Sequence, residues 1–369
     1  MKQERGRTIE VETLAEFDQR LVDGAVAMSG WHLQALDLSQ RTSELVSLSV
    51  AGSLFLGCTF AEGVEQELRE RGALLFPVLP DVPVSAYRTT LYSPSELYDG
   101  LESSYENTLD ARAYGWSRQE PSQDVRLAQA LHDHAVDDAL SECVAGRNLV
   151  GIMGGHALQR GSTEYADAAR LAHALASREL FVCTGGGPGA MEAANLGAYL
   201  AGYDERSVTE ATGLLANVPG FVPSISGWAR VAFEVLQRWP ECSRSLGIPT
   251  WHYGHEPTNA FATDIAKYFR NAVREDILLH LCSAGIVFLP GAGGTVQEIF
   301  QDACENYYAD PATVAPMVLV GRDYWTNVVP AWPLLKSLAR GRSMEPVVHL
   351  VDDLNDVAPL LAYTSTAAS

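Results

Sequence analysis

The sequence reads as an α/β protein, a parallel sheet with helices on both faces, preceded by a smaller α+β module. Three observations carry this. From Asn148 onward short apolar runs alternate with longer amphipathic stretches, the pattern of strands and helices around a parallel sheet. Two of those runs pass directly into glycine-rich loops, and each loop opens a helix. A chain of 369 residues also exceeds one ordinary domain. We divide it into an N-terminal accessory module, 1–145, and an α/β domain, 146–369.

The elements follow in order. The first hundred residues hold short mixed segments such as Leu45 to Phe60 and Ala73 to Leu79, punctuated by Pro77, Pro80 and Pro83. Helical spacing then appears over Val125 to Cys143, where Leu127, Leu131, Ala135 and Leu140 recur roughly every three to five positions. The second domain is expected to place strands at Leu149–Met153, Leu180–Thr184, Thr212–Ala216, Gly285–Leu289, Pro316–Val320 and Val347–Val351. Between them the spacing predicts helices over Thr163–Ala176, Ala190–Leu200, Thr263–Leu281 and Thr295–Tyr307, with no internal repeat interrupting this order.

Composition narrows the function classes. Apolar residues make up 47% and charged residues 20%, the balance of a globular chain with a core. The net charge of −20, with no local basic patch, argues against nucleic acid, while leaving room for a small phosphate held by backbone amides. Six scattered cysteines form no C-x-x-C pair and no zinc-spaced cluster, so we expect reduced thiols, no metal and a cytoplasmic protein. The N-terminus has no secretory h-region, and no apolar run is long enough for a membrane span.

The chemistry is read from the loops. The first, Cys183 to Asn195 (CTGGGPGAMEAAN), follows an apolar run and precedes a helix. Gly185, Gly186, Gly187 and Gly189 let backbone approach a ligand, and the helix start offers N–H groups to an anion. The spacing Gly185, Gly187, Ala190 also fits the loose dinucleotide fingerprint, but Asp204, Glu205 and Glu210 do not clearly end a strand. A tight turn without ligand is the plain alternative.

The second loop, Leu289 to Glu298 (LPGAGGTVQE), is built like an anion cradle: Gly291, Gly293 and Gly294 free adjacent amides, and Thr295 adds a hydroxyl. No lysine follows, which disfavours a P-loop NTPase. Glu298 lies one turn after Thr295 on the same helix face, where a carboxylate can stabilise the positive charge that builds on a ribose ring as an N-glycosidic bond breaks, or orient a water. The plain alternative is a dipole-stabilised glutamate in an early helical turn.

Pro290 to Glu298 matches the signature P-G-G-x-G-T-x-x-E, with Ala292 in place of the second glycine, and Gly185 to Asn195 matches G-G-G-P-G-x-M-E-A-A-N. On these two motifs the chain, from about 146 to 360, resembles the longer-chain branch of the LONELY GUY (LOG) family, Rossmann-like phosphoribohydrolases once labelled lysine decarboxylases. The resemblance implies hydrolysis of a nucleoside 5'-monophosphate to free base and ribose 5-phosphate, a homodimer, and no metal or organic cofactor. It also implies an arginine that works with the glutamate: Arg274, with Arg270 one turn earlier as the alternate. The family follows this arginine with lysine, whereas here Glu275 follows. In the family the helix after the first loop helps contact the base, which adds Glu192 and Asn195 as candidates.

Lysine decarboxylation needs a Schiff-base lysine. Only Lys2, Lys267 and Lys336 exist, and Lys267 reads as a helix surface residue. The stronger rival is a nucleotide sensor without chemistry, which Ala292 and Glu275 fit, whereas a sensor has no need of Glu298. A nicotinamide enzyme stands behind both. His132 and His134, two apart on a helix, face different sides. His252 and His255, near Trp251 and Tyr253, are candidates for a base pocket drawn from about Asn217 to His255.

Overall fold

The structure is a computed structural model and describes residues 9–79, 81–119, 122–252 and 256–361. The described chain forms two compact units: one runs to Thr90 and includes Arg118–Leu140, the other joins Leu91–Ser117 to the chain from Ser141 onward. A single cut near 145 does not describe this division, because 91–117 belongs with the α/β unit. Among the described residues no helix is long and apolar enough to cross a membrane.

In the first unit the elements are β1 (Ile9–Val11), α1 (Leu14–Val22), β2 (Trp31–Gln34), α2 (Thr42–Ser47), β3 (Leu54–Leu56), α3 (Val64–Glu70) and β4 (Leu74–Phe76). The strands lie in the order β1-β2-β3-β4, all parallel, and the pairing advances at a nearly constant step: Ile9 with Trp31, His32 with Leu54, Leu54 with Leu74. Between the strands the same step recurs, Gly30 N–H donating to the Gly52 carbonyl at 2.9 Å and Gly52 N–H to the Gly72 carbonyl at 3.1 Å. The unit is a short stack of strand and helix coils of roughly twenty residues each, every coil burying its apolar residues against the next. Phe17, Leu33, Leu45 and Phe55 are its fully enclosed centre.

The chain continues through α4 (Pro94–Leu97), α5 (Leu109–Ser117) and α6 (Gln123–Val144). In α6, His132 is buried and His134 exposed, so they do face different sides.

The larger unit holds β5 (Leu149–Met153), α7 (Thr163–Ala176), β6 (Phe181–Thr184), α8 (Ala190–Tyr199), α9 (Glu205–Leu215), α10 (Ile225–Arg238), β7 (Leu246–Gly247), β8 (Asp264–Ile265), α11 (Asn271–His280), β9 (Gly285–Phe288), α12 (Gly293–Tyr308), β10 (Met317–Val320), α13 (Ala331–Ala339) and β11 (Val348–Val351). Its sheet runs β11-β10-β9-β5-β6-β7-β8, entirely parallel. LVGIM, FVCT, GIVF and MVLV are buried at every position, as strands covered on both faces must be. From β5 the order runs outward in both directions. Right-handed crossovers taken in opposite directions place α7 and α8 on one face and α12 on the other. This is the Rossmann-like arrangement expected from the sequence.

Two expectations fail locally. Thr212–Ala216 is not a strand: it ends α9, whose Val208, Ala211, Thr212 and Leu215 face the core at helical spacing and whose start is capped by the Asp204 side chain. The helix expected over Thr263–Leu281 begins only at Asn271, because 264–265 is strand β8 and the stretch before α11 is enclosed on all sides.

Lys267 lies in that enclosed stretch and is not a surface residue. It is 1% exposed, and its ammonium donates to Asp110 Oδ1 at 2.6 Å and to Thr258 Oγ1 at 2.7 Å. Burial pulls its pKa below the ordinary lysine value, while the Asp110 charge opposes that shift. Asp110 also accepts from the Trp251 indole at 2.8 Å and the Tyr105 hydroxyl at 3.1 Å. This buried cluster fastens 91–117 to the α/β unit. Removing one partner of a buried ion pair leaves an uncompensated charge, so Lys267→Met is expected to destabilise the fold by about 3–5 kcal/mol, measured as a lower denaturant midpoint at unchanged slope.

Candidate functional site

The site forms where the strand order reverses, at the C-terminal ends of β5 and β9, the crevice in which open α/β sheets bind ligands. Gly154 and Gly155 end β5, and the backbone there is drawn tight: Leu289 N–H donates to Met153 at 2.8 Å, Gly155 N–H to Pro290 at 3.1 Å and Ala190 N–H to Gly155 at 3.1 Å. These bonds bring both glycine loops and the β5 turn together.

The second loop is the open one. Ala292, Gly293 and Gly294 are exposed, and nothing lies within 4 Å of where a Cβ would stand on either glycine. Ala292 precedes α12 at φ −98°, outside the left-handed region that favours glycine, and its side chain is exposed. Gly291 is different: a Cβ there would stand 2.2 Å from Thr295 Oγ1, and its carbonyl accepts from the Tyr324 hydroxyl at 2.8 Å. The first amides of α12 have no partner within the helix and point, with its dipole, toward the crevice. Thr295 is 4% exposed at the first turn.

The first loop is closed. Gly185, Gly186, Gly187 and Gly189 are all buried, and each has a neighbour that a side chain would strike. Its carbonyls are already taken: Gly185 by Arg274 at 3.1 Å, Gly186 by Asn259 N–H at 2.9 Å and Gly187 by the Asn259 side chain at 3.1 Å. The Gly186 amide donates to Thr184 Oγ1. Close packing accounts for these glycines.

Arg274, not Arg270, enters the site. Arg270 is exposed ahead of α11, whereas Arg274 is 8% exposed and reaches across to the Ile248 carbonyl at 2.6 Å and to Gly185. Glu298, one turn into α12, is only partly accessible. Burial pushes its carboxyl up to about 7, with the Arg274 charge opposing and the Glu275 charge adding to the rise. Glu275, where the family has lysine, is buried and held by the side chains of Asn271, at 2.7 Å, and Gln297.

The structure separates the other candidates. Glu192 is wholly buried, both carboxylate oxygens bonded to Arg160, whose Nε stands 3.0 Å away. Burial works to lower the Arg160 pKa, but the Glu192 charge and hydrogen bonds outweigh it and leave the value raised. Asn195 is also enclosed, bonded to Thr184, Ser245, Leu246 and Asn259. Trp251 belongs to the Asp110 cluster, His252 is exposed, and Tyr253 and His255 lie outside the described residues. Residues that sequence reasoning missed are Arg160, Asn259 and His156, the last 3.4 Å from Glu256. Each stands alone in sequence with no motif around it.

The sequence model of the SLOG cluster4 family matches residues 147–203, the span from β5 through the first loop and α8. No curated protein matches the chain. Among solved structures, the chain is similar to the molybdenum cofactor binding protein of Rippkaea orientalis (15% identity, TM-score 0.35, covering 58% of this chain and 96% of that one). It is also similar to the molybdenum cofactor carrier protein MCP of Chlamydomonas reinhardtii (16% identity, TM-score 0.36, 58% and 98%).

The Glu298 value carries a sign. A folded-state pKa above the unfolded one means the native protein binds the proton more tightly, so this group's contribution to stability is complete below about 4.5 and is lost as pH rises through about 7. Glu298→Gln removes the penalty. The variant is expected to match the parent at pH 4 and to exceed it at pH 8 by up to about 3 kcal/mol, read from unfolding midpoints at both pH values.

Proposed function

We propose that the larger unit hydrolyses the N-glycosidic bond of a nucleoside 5'-monophosphate, releasing the free base and ribose 5-phosphate. The observation that carries this reading is the placing of Glu298, its carboxyl pushed up to about 7, beside Arg274 and one turn from the exposed start of α12. A phosphate on the amides of Gly293, Gly294 and Thr295 would gain the helix dipole and lose little to desolvation, since that end already faces solvent. In this reading the first loop positions Arg274 and shapes the crevice, while the second binds the anion.

The reaction needs a water to add at the ribose carbon as the bond to the base breaks, with positive charge building on the ring between. Glu298 as carboxylate stabilises that charge and takes a proton from the water; the electron pair of the broken bond leaves on the base nitrogen, and that proton ends on the base, which returns Glu298 to its carboxylate. Arg274, fixed by two carbonyls, limits how far burial raises the carboxyl, so the ionised form is populated near neutrality. Lys267 is committed to Asp110, which supports setting aside Schiff-base chemistry.

Base release from nucleoside monophosphates is measured by chromatography, with the nucleosides and NAD as controls. Release from a monophosphate, absent with its nucleoside, is expected. In the free protein kcat/KM should rise with pH through about 7, because the ionised carboxylate is the working form. Glu298→Gln should lower kcat by at least about a hundredfold. No release from any of them, with a monophosphate still raising Tm, would establish a nucleotide sensor instead.

A further inference from the structure

Beside Gly155, away from the α12 start, a cleft of about 230 Å³ opens between three segments: the turn after β5, the end of the first glycine loop, and 219–228. Arg160 binds its walls together. Besides Glu192 on α8, the guanidinium donates to the Trp228 carbonyl at 2.9 Å and lies 4.5 Å over the Trp228 ring, while the Arg160 N–H donates to Pro219 at 2.9 Å. The shape is therefore preorganised, with few rotamers left to freeze on binding.

The chemistry of the lining is that of a flat, uncharged ring site. Both Glu192 oxygens are spent on Arg160, so the one carboxylate in the wall is neutralised. Pro188, Pro219, Phe221 and Trp228 supply the apolar surfaces. Phe221 is partly exposed and meets Trp228 edge-on, with centroids 6.4 Å apart at 75°, which leaves a ring face for stacking. On the rim, the Gln159 amide rests against Gly220, where a Cβ would stand 3.3 Å from Oε1, and its Nε2 makes only a long 3.3 Å bond to the Ala157 carbonyl. An exposed amide so placed has donor and acceptor capacity to spare.

Position links the cleft to the phosphate end. Gly155 bonds to Pro290 of the second loop, and the next residue, His156, lines the cleft. A molecule with its phosphate on α12 reaches the cleft past Gly155, which is partly exposed, while Gly154 is buried against Ala190 and Leu289. We propose that this cleft receives the base of the nucleotide, Phe221 stacking on it and Gln159 reading its edge. The inference rests on the α12 start being the phosphate site.

The test is equilibrium binding, with full-length Glu298→Gln protein so that no substrate is consumed, of the four common ribonucleoside monophosphates and of ribose 5-phosphate, which lacks the base. At least one monophosphate is expected to bind more tightly than ribose 5-phosphate. Adding Phe221→Ala should remove roughly tenfold or more of that advantage and leave ribose 5-phosphate affinity unchanged, which also shows the variant is folded. Adding Gln159→Leu should change the ranking among bases. Equal affinities for monophosphate and ribose 5-phosphate, or an advantage that survives Phe221→Ala, would overturn the assignment. An advantage lost on Phe221→Ala while the unaltered chain releases no base would sink hydrolysis and leave the base cleft standing. Absence of binding by any phosphate compound would overturn both.

Discussion

The hydrogen bond from the Gly155 amide to the Pro290 carbonyl is the join on which the site depends. It lies where the sheet order turns back on itself, and it holds the end of β5 so close to the second loop that a Cβ at 291 would stand 3.0 Å from the Gly155 nitrogen and one at 155 would stand 3.3 Å from the Pro290 carbonyl. Everything with chemical capacity is placed relative to this seam. The open start of α12 lies on one side, the turn that carries His156 and Gln159 on the other, and Arg274 crosses beneath the first loop to Gly185. Gly185 is required by that crossing, since a Cβ there would stand 2.6 Å from the guanidinium, whereas Gly186, Gly187 and Gly189 are closed off by Pro249, Met191 and the backbone of Gly155 and His156.

Buried charge is distributed unevenly through the unit. Asp110 with Lys267 and Arg160 with Glu192 are enclosed and paired, each with further hydrogen bonds to the partners' remaining groups. Such pairs contribute modestly to net stability, but breaking one is costly, so they fix geometry. Among the described residues Glu298 has no comparable partner: it feels Arg274 without being neutralised by it, and burial wins, as it does for Asp302 one turn further along α12. A protein selected for stability alone would not keep an acidic side chain there.

Much of this was legible in the sequence, for identifiable reasons. Strands buried on both faces leave continuous apolar runs, so the sequence places β5, β6, β9 and β10 nearly at their observed bounds; β11, half-exposed at alternate positions, and α7 at Thr163–Ala176 are placed as closely. The two-residue strands β7 and β8 leave no such trace. TDIAKYF reads as the start of a helix because enclosure on every side erases periodicity, and Lys267 reads as a surface residue with it. TGLLA reads as strand by apolar content alone, whereas the spacing back to Val208 marks α9. The coils of the first unit escaped notice because their three- and four-residue strands are short and their step is carried by backbone bonds between glycines. In the site, the open loop and its glutamate were legible as a motif. Arg160 and Glu192 were not recognisable as partners, since thirty-two positions separate them and only the fold brings them together.

The two departures from the LOG signature carry different weight. Ala292 sits at negative φ with its side chain in solvent, so it changes neither the backbone nor the amides beside it. Glu275 puts an anion where the LOG motif has a cation, and its charge adds to the rise of the Glu298 carboxyl, against the larger opposing effect of Arg274. The structure absorbs the change by giving Glu275 two amide partners, Asn271 and Gln297, one on each of α11 and α12. Those bonds stabilise the Glu275 charge where it stands, so its effect on Glu298 persists, and Arg274 alone must offset it. Burial and the balance among these three side chains, rather than the missing glycine, therefore set how far the Glu298 carboxyl is shifted.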